Sequence, residues 1–266
     1  MTSPMPHASA GGGLGRAFRY LYRVPLLLLH IFVLLPLVLL GMVPLWAGIR
    51  VGGERLEHFG IRKWSAGLMR IFGFRLRRIG TPLPDPVLFV ANHVSWVDIE
   101  MLHSQRMMGF VAKQEIRGWP VVGWLTARGE TIFHQRGSQE SMGGVMHAML
   151  ARLQAGRPVG VFPEGRTRDG SEVGPFHARI FQPAVEAGVP GQPVALRCGP
   201  RGSAQTRVGF GARESFLANF GRVVGEPARN ADICFLAPIA AGEVEGRSRI
   251  AELARDRIVA AMHADA

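Results

Sequence analysis

The sequence predicts an α/β domain, a β-sheet flanked by helices, attached to an N-terminal helical membrane anchor. Three observations carry that expectation. Short apolar runs alternate with helical patterns from residue 74 onward, the signature of a sheet with helices on both faces. Val24 to Ile49 contains no Asp, Glu, Lys or Arg, and roughly 20 apolar residues suffice to cross a bilayer core. The chain has 266 residues, 47% of them hydrophobic, enough for one sizeable core plus an appendage and too apolar for intrinsic disorder.

Residues 1–15 are small and polar, with Gly11-Gly12-Gly13 and Gly15, and read as a flexible lead. The anchor is placed at 16–50 and opens with Arg16, Arg19 and Arg23. Its apolar core exceeds the about 7–15 residues of a signal peptide. Pro36 falls mid-run, where a proline removes a hydrogen bond and kinks a helix. Arg50, Arg55, Arg62 and Lys63 make the far flank basic as well, so charge bias sets no orientation. Two arrangements fit: a kinked single span, or two short helices dipping into one leaflet with both ends cytosolic. Residues 51–80 then hold an amphipathic basic helix and a first strand. Over 61–78, Trp64, Leu68, Ile71 and Phe72 lie at helical spacing among Arg62, Lys63, Arg70, Arg75, Arg77 and Arg78, a pattern suited to anionic lipid.

The loop Thr81-Pro82-Leu83-Pro84-Asp85-Pro86 marks the start of the main domain, 81–266. Strands are expected at 74–79, 87–91, 108–112, 130–134, 158–162, 193–198, 206–211 and 232–236. Helices are expected at 95–103, 120–127, 138–155, 177–187 and 247–263, the last with Ile250, Leu253, Ala254, Ile258 and Met262 on one stripe.

A formal net charge of +11 and a pI near 11.2 call for a negatively charged partner: nucleic acid, acidic lipid or a phosphorylated metabolite. Cys198 and Cys234 are the only cysteines, so no disulfide framework is legible, and no Cys-x-x-Cys or His cluster offers metal-ligand spacing. No Gly-x-x-x-x-Gly-Lys loop is present, which argues against P-loop nucleotide chemistry.

Asn92-His93-Val94-Ser95-Trp96-Val97-Asp98 follows the apolar run Val87–Ala91. On a regular helix a five-residue offset rotates about 500°, so His93 and Asp98 meet only if His93 lies in the turn before the helix. Ser95 as the cap allows this, and Asp98 then orients the imidazole of a general base. Ser95-x-x-Asp98 also fits a plain capping box, in which Asp98 only caps. Ser95 lacks the Gly-x-Ser-x-Gly surroundings of a hydrolase nucleophile.

A second cluster follows the apolar run Val159–Phe162: Pro163-Glu164-Gly165-Arg166-Thr167-Arg168. Gly165 permits a tight turn, and Arg166 and Arg168 supply forked donors for an anion. The bland alternative is a surface turn, since Asp169-Gly170 is itself a turn signal. Arg136, at the end of Gly129–Arg136, and Lys113, after Phe110-Val111-Ala112, are further cations at strand ends.

These motifs resemble those of the glycerolipid acyltransferases, the 1-acylglycerol-3-phosphate acyltransferase group. All four ordered motifs of that family are present: Asn92-His93 with Asp98, Gly129 through Arg136, Phe162–Gly165 with its arginines, and Gln192-Pro193-Val194-Ala195-Leu196-Arg197. The resemblance covers about residues 50 to 240. It departs at His134-Gln135 in the second motif and at Glu164-Gly165-Arg166-Thr167-Arg168 in the third, where the arginine position is displaced.

The resemblance implies a mixed sheet and a membrane-bound O-acyltransferase of a bacterial inner membrane, its catalytic domain facing the cytoplasm. His93 would take the proton of an acceptor hydroxyl, with Asp98 behind it. Asn92, Lys113, Arg136, Glu164, Gly165, Arg166 and Arg168 would bind substrate, Glu164 either bonding the acceptor headgroup or holding the turn, with backbone N–H groups near Gly165 holding the oxyanion. Acyl-CoA or acyl carrier protein would be the co-substrate, with no resident cofactor, no metal and no nucleic-acid partner. Lysophosphatidic acid is the first acceptor implied, and lyso-ornithine lipid the alternative. A basic, membrane-tethered nucleic-acid-binding protein is the rival of another class, without any helix-turn-helix, RNP or zinc signature. An inactive scaffold with a degenerate site is the structural rival.

Overall fold

The computed structural model describes residues 13–46, 48–118, 130–135, 139–167 and 169–264. A long helix, α1 (Gly13–Gly41), opens the chain. A two-residue hairpin pair follows, β1 (Arg50–Val51) and β2 (Glu54–Arg55), and leads into α2 (Leu56–Ile71). The main domain then runs β3 (Phe74–Ile79), β4 (Leu88–Ala91), α3 (Val97–His103), β5 (Gly109–Lys113), the short α4 (Gln114–Arg117) and β6 (Ile132–His134). After these come α5 (Gln139–Gln154), β7 (Val159–Val161), α6 (Gln182–Ala187), β8 (Gly191–Cys198) and the single turn α7 (Gln205–Val208). Finally come α8 (Phe216–Val224), β9 (Arg229–Phe235) and α9 (Gly246–His263).

The sheet is mixed and seven-stranded, in the order β3-β9-β8-β4-β7-β5-β6. Only the β8–β9 pairing is antiparallel. β8, β4, β7, β5 and β6 therefore point one way and end at one edge. In α/β sheets ligands collect outside such carboxyl ends.

β4 is buried on both faces, which is why it reads as an unbroken apolar run rather than an alternating one. Phe89 and Ala91 face a core layer with Leu68, Met69 and Phe72 of the α2 segment and Val97, Met101 and Leu102 of α3. Leu88 and Val90 face the other layer, with Val145, Met149 and Leu153 of α5 and Ala251 and Ala254 of α9. Each such side chain contributes about 1.5–3 kcal/mol on burial. Truncating Phe89 to alanine should cost about 3–5 kcal/mol.

The N-terminal region differs from expectation in three ways. Helix begins at Gly13, inside the expected flexible lead, because Arg19 and Tyr20 dock on the main domain; residues 1–12 lie outside the described residues. Pro36 does not split the helix in two: a π-helical turn at His30–Leu34 absorbs the missing hydrogen bond. The following helix starts at Leu56 and ends at Ile71, so Arg75, Arg77 and Arg78 stand on β3. Gly73, at φ +82, makes the break.

α1 and α2 form an antiparallel pair. The His30 ring lies over Gly67 and stacks on Trp64 at 5.0 Å, and Trp64 Nε1 donates to the His30 carbonyl. α1 docks on the main domain at its start and packs Leu27 and Ile31 on the core at mid-length. At the start, Arg19 Nε donates to the Gly225 carbonyl and the Tyr20 hydroxyl to the Gly221 carbonyl. Buried Arg23 donates to the Val224 and Glu226 carbonyls. These cations satisfy the orphan carbonyls at the C-terminus of α8 and oppose its dipole. At the far end, Met42 lines a small cavity together with Met107 and Glu130.

One further expectation fails in the main domain. Residues 206–211 are not a strand: Gln205–Val208 is helical, and the Gln205 side chain instead binds the end of β8, accepting from the Cys198 N–H at 2.7 Å and donating to the Leu196 carbonyl. The helix expected at 120–127 lies outside the described residues.

Candidate active site

The turn between β4 and α3 is fixed from three sides. As the chain leaves β4, the buried Asn92 amide takes the Leu196 N–H at 2.8 Å and donates to the Leu196 carbonyl at 3.0 Å. Asp98 reaches back from the first turn of α3. Its Oδ2 accepts from the N–H groups of Val94 at 2.6 Å and Ser95 at 2.8 Å, and lies 2.9 Å from His93 Nδ1. Ser95 Oγ accepts from the Val97 N–H at 3.3 Å. One carboxylate oxygen thus holds the turn's N–H groups and the imidazole together.

With Nδ1 donating to the carboxylate, neutral His93 carries its proton on Nδ1 and presents Nε2 as an acceptor. The ring stacks on Phe162 at 4.0 Å, which holds its plane. This is the geometry of an oriented general base.

Glu164 completes the turn from β7. One carboxylate oxygen accepts from the His93 N–H and the other from the Gly174 N–H, both at 2.9 Å. Asn92 and Glu164, expected to bind substrate, line the cavity beside His93 and bond to the backbone around it. Gly165 sits at φ +70 beneath His177, where a Cβ would come within 3.1 Å of the ring. Its N–H donates to the Phe162 carbonyl at 3.1 Å, so that group closes the turn and is not aimed at an oxyanion. Arg166 is exposed beside it. Lys113 ends β5 in register with His134 of β6, at the same sheet edge as His93. Arg136 and Arg168 lie outside the described residues.

Beside His93 opens a cavity of ≈280 Å³, lined among others by Glu164, Glu172, Arg201, Gln205 and Arg255. Sequence reasoning did not single out Glu172, Arg201 or Arg255. They come from three distant segments: the loop after β7, the turn after β8, and α9. Arg201 stands at φ +48, an unusual conformation for an arginine, between Gly199 and Gly202 at the end of β8. That Gly-Pro-Arg-Gly turn was the one local signal available. Arg255 donates to the Val173 and Gly174 carbonyls, both at 2.8 Å, and so shapes the wall that carries Glu172.

The fourth motif is structural. Gln192 donates to the Thr81 and Leu236 carbonyls, and Arg197 pairs with Asp232 while donating to the Ala261 and Ala264 carbonyls at the end of α9. Burial pushes the Cys198 thiol up to about 12 and raises Cys234 as well, which keeps both as inert core thiols. Among the described residues no His, Cys, Asp or Glu cluster is arranged to hold a metal ion.

Comparison with known proteins fits this geometry. Residues 76–197 match the family model described as Acyltransferase. A lyso-ornithine lipid O-acyltransferase from Pseudomonas aeruginosa is 36% identical over 239 residues, covering 86% of this chain and 89% of that one. A 1-acyl-sn-glycerol-3-phosphate acyltransferase from Neisseria gonorrhoeae is 40% identical over 125 residues, 47% of this chain and 49% of its own. The crystal structure of the 1-acyl-sn-glycerophosphate (LPA) acyltransferase, PlsC, from Thermotoga maritima superposes with a TM-score of 0.71 at 18% identity, covering 94% of this chain and 93% of that one. The oriented His93–Asp98 pair at the carboxyl edge of this sheet, the family match around it and the breadth of the Pseudomonas alignment lead to one conclusion: the chain belongs to the Acyltransferase family and is a lipid acyltransferase.

Proposed function

We propose that the chain moves a fatty acyl group from a thioester, acyl-CoA or acyl carrier protein, to the free hydroxyl of a lyso-ornithine lipid. The observation that carries this acceptor is the breadth of likeness to the Pseudomonas relative, which extends far beyond the shared motifs. The cavity supports it chemically. Ornithine acylated on its α-nitrogen keeps a carboxylate and an ammonium. The wall beside His93 offers a carboxylate, Glu172, and a guanidinium, Arg201. A phosphate monoester would meet Glu172 as a like charge. Lysophosphatidic acid remains the second reading, favoured by the higher local identity around the motifs and by exposed Arg166.

In this reading His93 Nε2 takes the proton as the acceptor oxygen attacks the thioester carbonyl. Asp98 stabilises the imidazolium. The tetrahedral intermediate collapses, the C–S bond breaks, and His93 returns the proton to the departing thiolate. The proton balance closes on His93, so the residues ask for no resident cofactor. The main domain, from β3 to α9, houses this chemistry.

The anchor reading follows from α1. The helix is 29 residues long, its most apolar 18-residue stretch has a mean hydropathy of 2.6, and its start and middle rest on the main domain. A helix held so lies along the domain's flank, which favours in-plane anchorage in one leaflet over a single span. Its outward residues, Leu14, Phe18, Leu21, Phe32 and Leu37, are exposed and apolar. The bacterial relatives make the cytoplasmic face of an inner membrane the natural location.

Expression in a bacterium that makes lyso-ornithine lipid but cannot acylate it tests the acceptor. Appearance of diacylated ornithine lipid, lost with His93→Ala, is the expected result. Rescue of a strain lacking 1-acylglycerol-3-phosphate acylation, without ornithine lipid formation, would overturn it.

A further inference from the structure

The anchor does not cover all of the apolar surface beside it. Helix α8 is crossed by α1 at Gly221 and Gly225, where Tyr20 and Arg19 bind its carbonyls. One helical turn before Gly221, on the same face, stands Leu217, 77% exposed. Phe216 and Phe220, one helical turn apart, are half-buried to one side of it. Both rings pack on Trp96, at 6.2 and 5.2 Å, and Trp96 Nε1 donates to Asn219 Oδ1 in the middle of α8. Trp96 belongs to the turn that carries His93. An apolar surface therefore continues from the exposed stripe of α1, across Leu217, to the catalytic turn.

The surroundings of α8 fit a lipid surface. Arg207 and Arg213, both exposed, flank its N-terminal side, where anionic headgroups would lie. The segment is also held firmly. The Ser215 hydroxyl caps the helix at the Ala218 N–H, and Arg222 clamps Glu214 at 2.7 and 2.8 Å. That clamp pulls the Glu214 carboxyl down to about 2. An exposed leucine on so rigid a helix, next to a membrane anchor, has the lipid phase as its natural partner.

We infer that α8 is a second membrane contact, with Leu217 inserted among lipid chains beside α1 and Trp96 extending that contact to the turn bearing His93. The inference rests on the anchor reading above. Its consequence is that a single-chain acceptor passes from the leaflet to His93 along an apolar wall.

The test uses the full chain in phosphatidylethanolamine–phosphatidylglycerol vesicles. Spin labels are placed by Leu217→Cys, by Leu21→Cys in the anchor and by Glu252→Cys on exposed α9, and Cys198 and Cys234 are buried from label. Relaxation by oxygen and by a water-soluble nickel chelate is compared. The inference expects oxygen to dominate at positions 217 and 21 and nickel at 252. Nickel dominating at 217 but not at 21 overturns the α8 contact and leaves the anchor standing. Nickel dominating at 21 overturns both. Shielding of 217 from both reagents means that a protein covers it, and also overturns the contact. As a second arm, Leu217→Asp should slow turnover of a long-chain acceptor in vesicles roughly tenfold, the equivalent of one lost leucine insertion. The same variant should change turnover of a short-chain soluble acceptor by less than about twofold, as surface substitutions do. Equal effects on both acceptors contradict the inference.

Discussion

The turn after β4 and the cavity wall beyond it are neighbours in space but are built differently. The turn is local: His93, Asp98 and the N–H groups of Val94 and Ser95 lie within six residues, and Asp98 Oδ2 binds three of them. The wall is assembled from Glu172, Arg201 and Arg255, which meet only because β7, β8 and α9 converge at one sheet edge. On the function proposed above, the reaction is written in one contiguous motif and the acceptor preference in the fold.

The sharpest way to break that division is at His93. His93→Ala should lower acyl transfer by at least about a hundredfold with every acceptor, since a general base typically contributes that much. Asp98→Asn should fall nearly as far. Circular dichroism of both variants should match the wild type. If His93→Ala kept a tenth or more of the turnover, the motif would be positional and the division would fail.

Next in size are the wall residues. Glu172→Gln and Arg201→Gln should each raise the apparent KM for a lyso-ornithine lipid about tenfold, the worth of one charge-assisted contact, with the KM for the acyl donor unchanged. A matched loss for donor and acceptor would return these residues to a structural role.

Smaller effects should come from groups that support the two regions. Arg23→Ala removes the cation that satisfies the end of α8, which backs Trp96 in the catalytic turn. A loss of about 2 kcal/mol of stability is expected, as for hydrogen bonds from a charged donor. Denaturant unfolding in detergent would show it. An unchanged midpoint would mean that α1 docks by apolar contact alone.

Glu100 should give the narrowest signal, confined to one pH window. It lies on α3 two residues after Asp98, with Oε2 buried and without a hydrogen-bond partner. Burial pushes its carboxyl from the ordinary 4.5 up to about 7. The folded chain then keeps a proton that the unfolded chain releases, so stability falls as pH rises through that window. Glu100→Gln should flatten this fall, and a slope equal to the wild type would assign it to other groups.

The same contrast accounts for what the sequence reveals. Strand 74–79 and the final helix stand where their periodicity places them, because burial on a defined face imposes the period. His93 and Asp98 are legible because their spacing has one productive geometry. Asn92 and Glu164 are legible as site residues, but their bonds to Leu196 and to the His93 N–H are not, because those partners are set by the fold. Helix 216–224 is hidden by Asn219 and Gly221, which interrupt its apolar pattern. Buried Asn219 is there to bridge Trp96 and the Val208–Gly209 carbonyls, a reason no local window contains. Arg19 and Arg23 resemble a basic membrane flank in sequence, yet the fold turns them onto α8.

The most direct test of the account compares acceptors in the purified wild-type protein. With one acyl thioester, kcat/KM is measured for a lyso-ornithine lipid and for lysophosphatidic acid of the same chain length. The account predicts a preference of at least about tenfold for the ornithine acceptor, reflecting one matched and one repelled charge in the cavity. Equal values, or a preference for the phosphate acceptor, would contradict it.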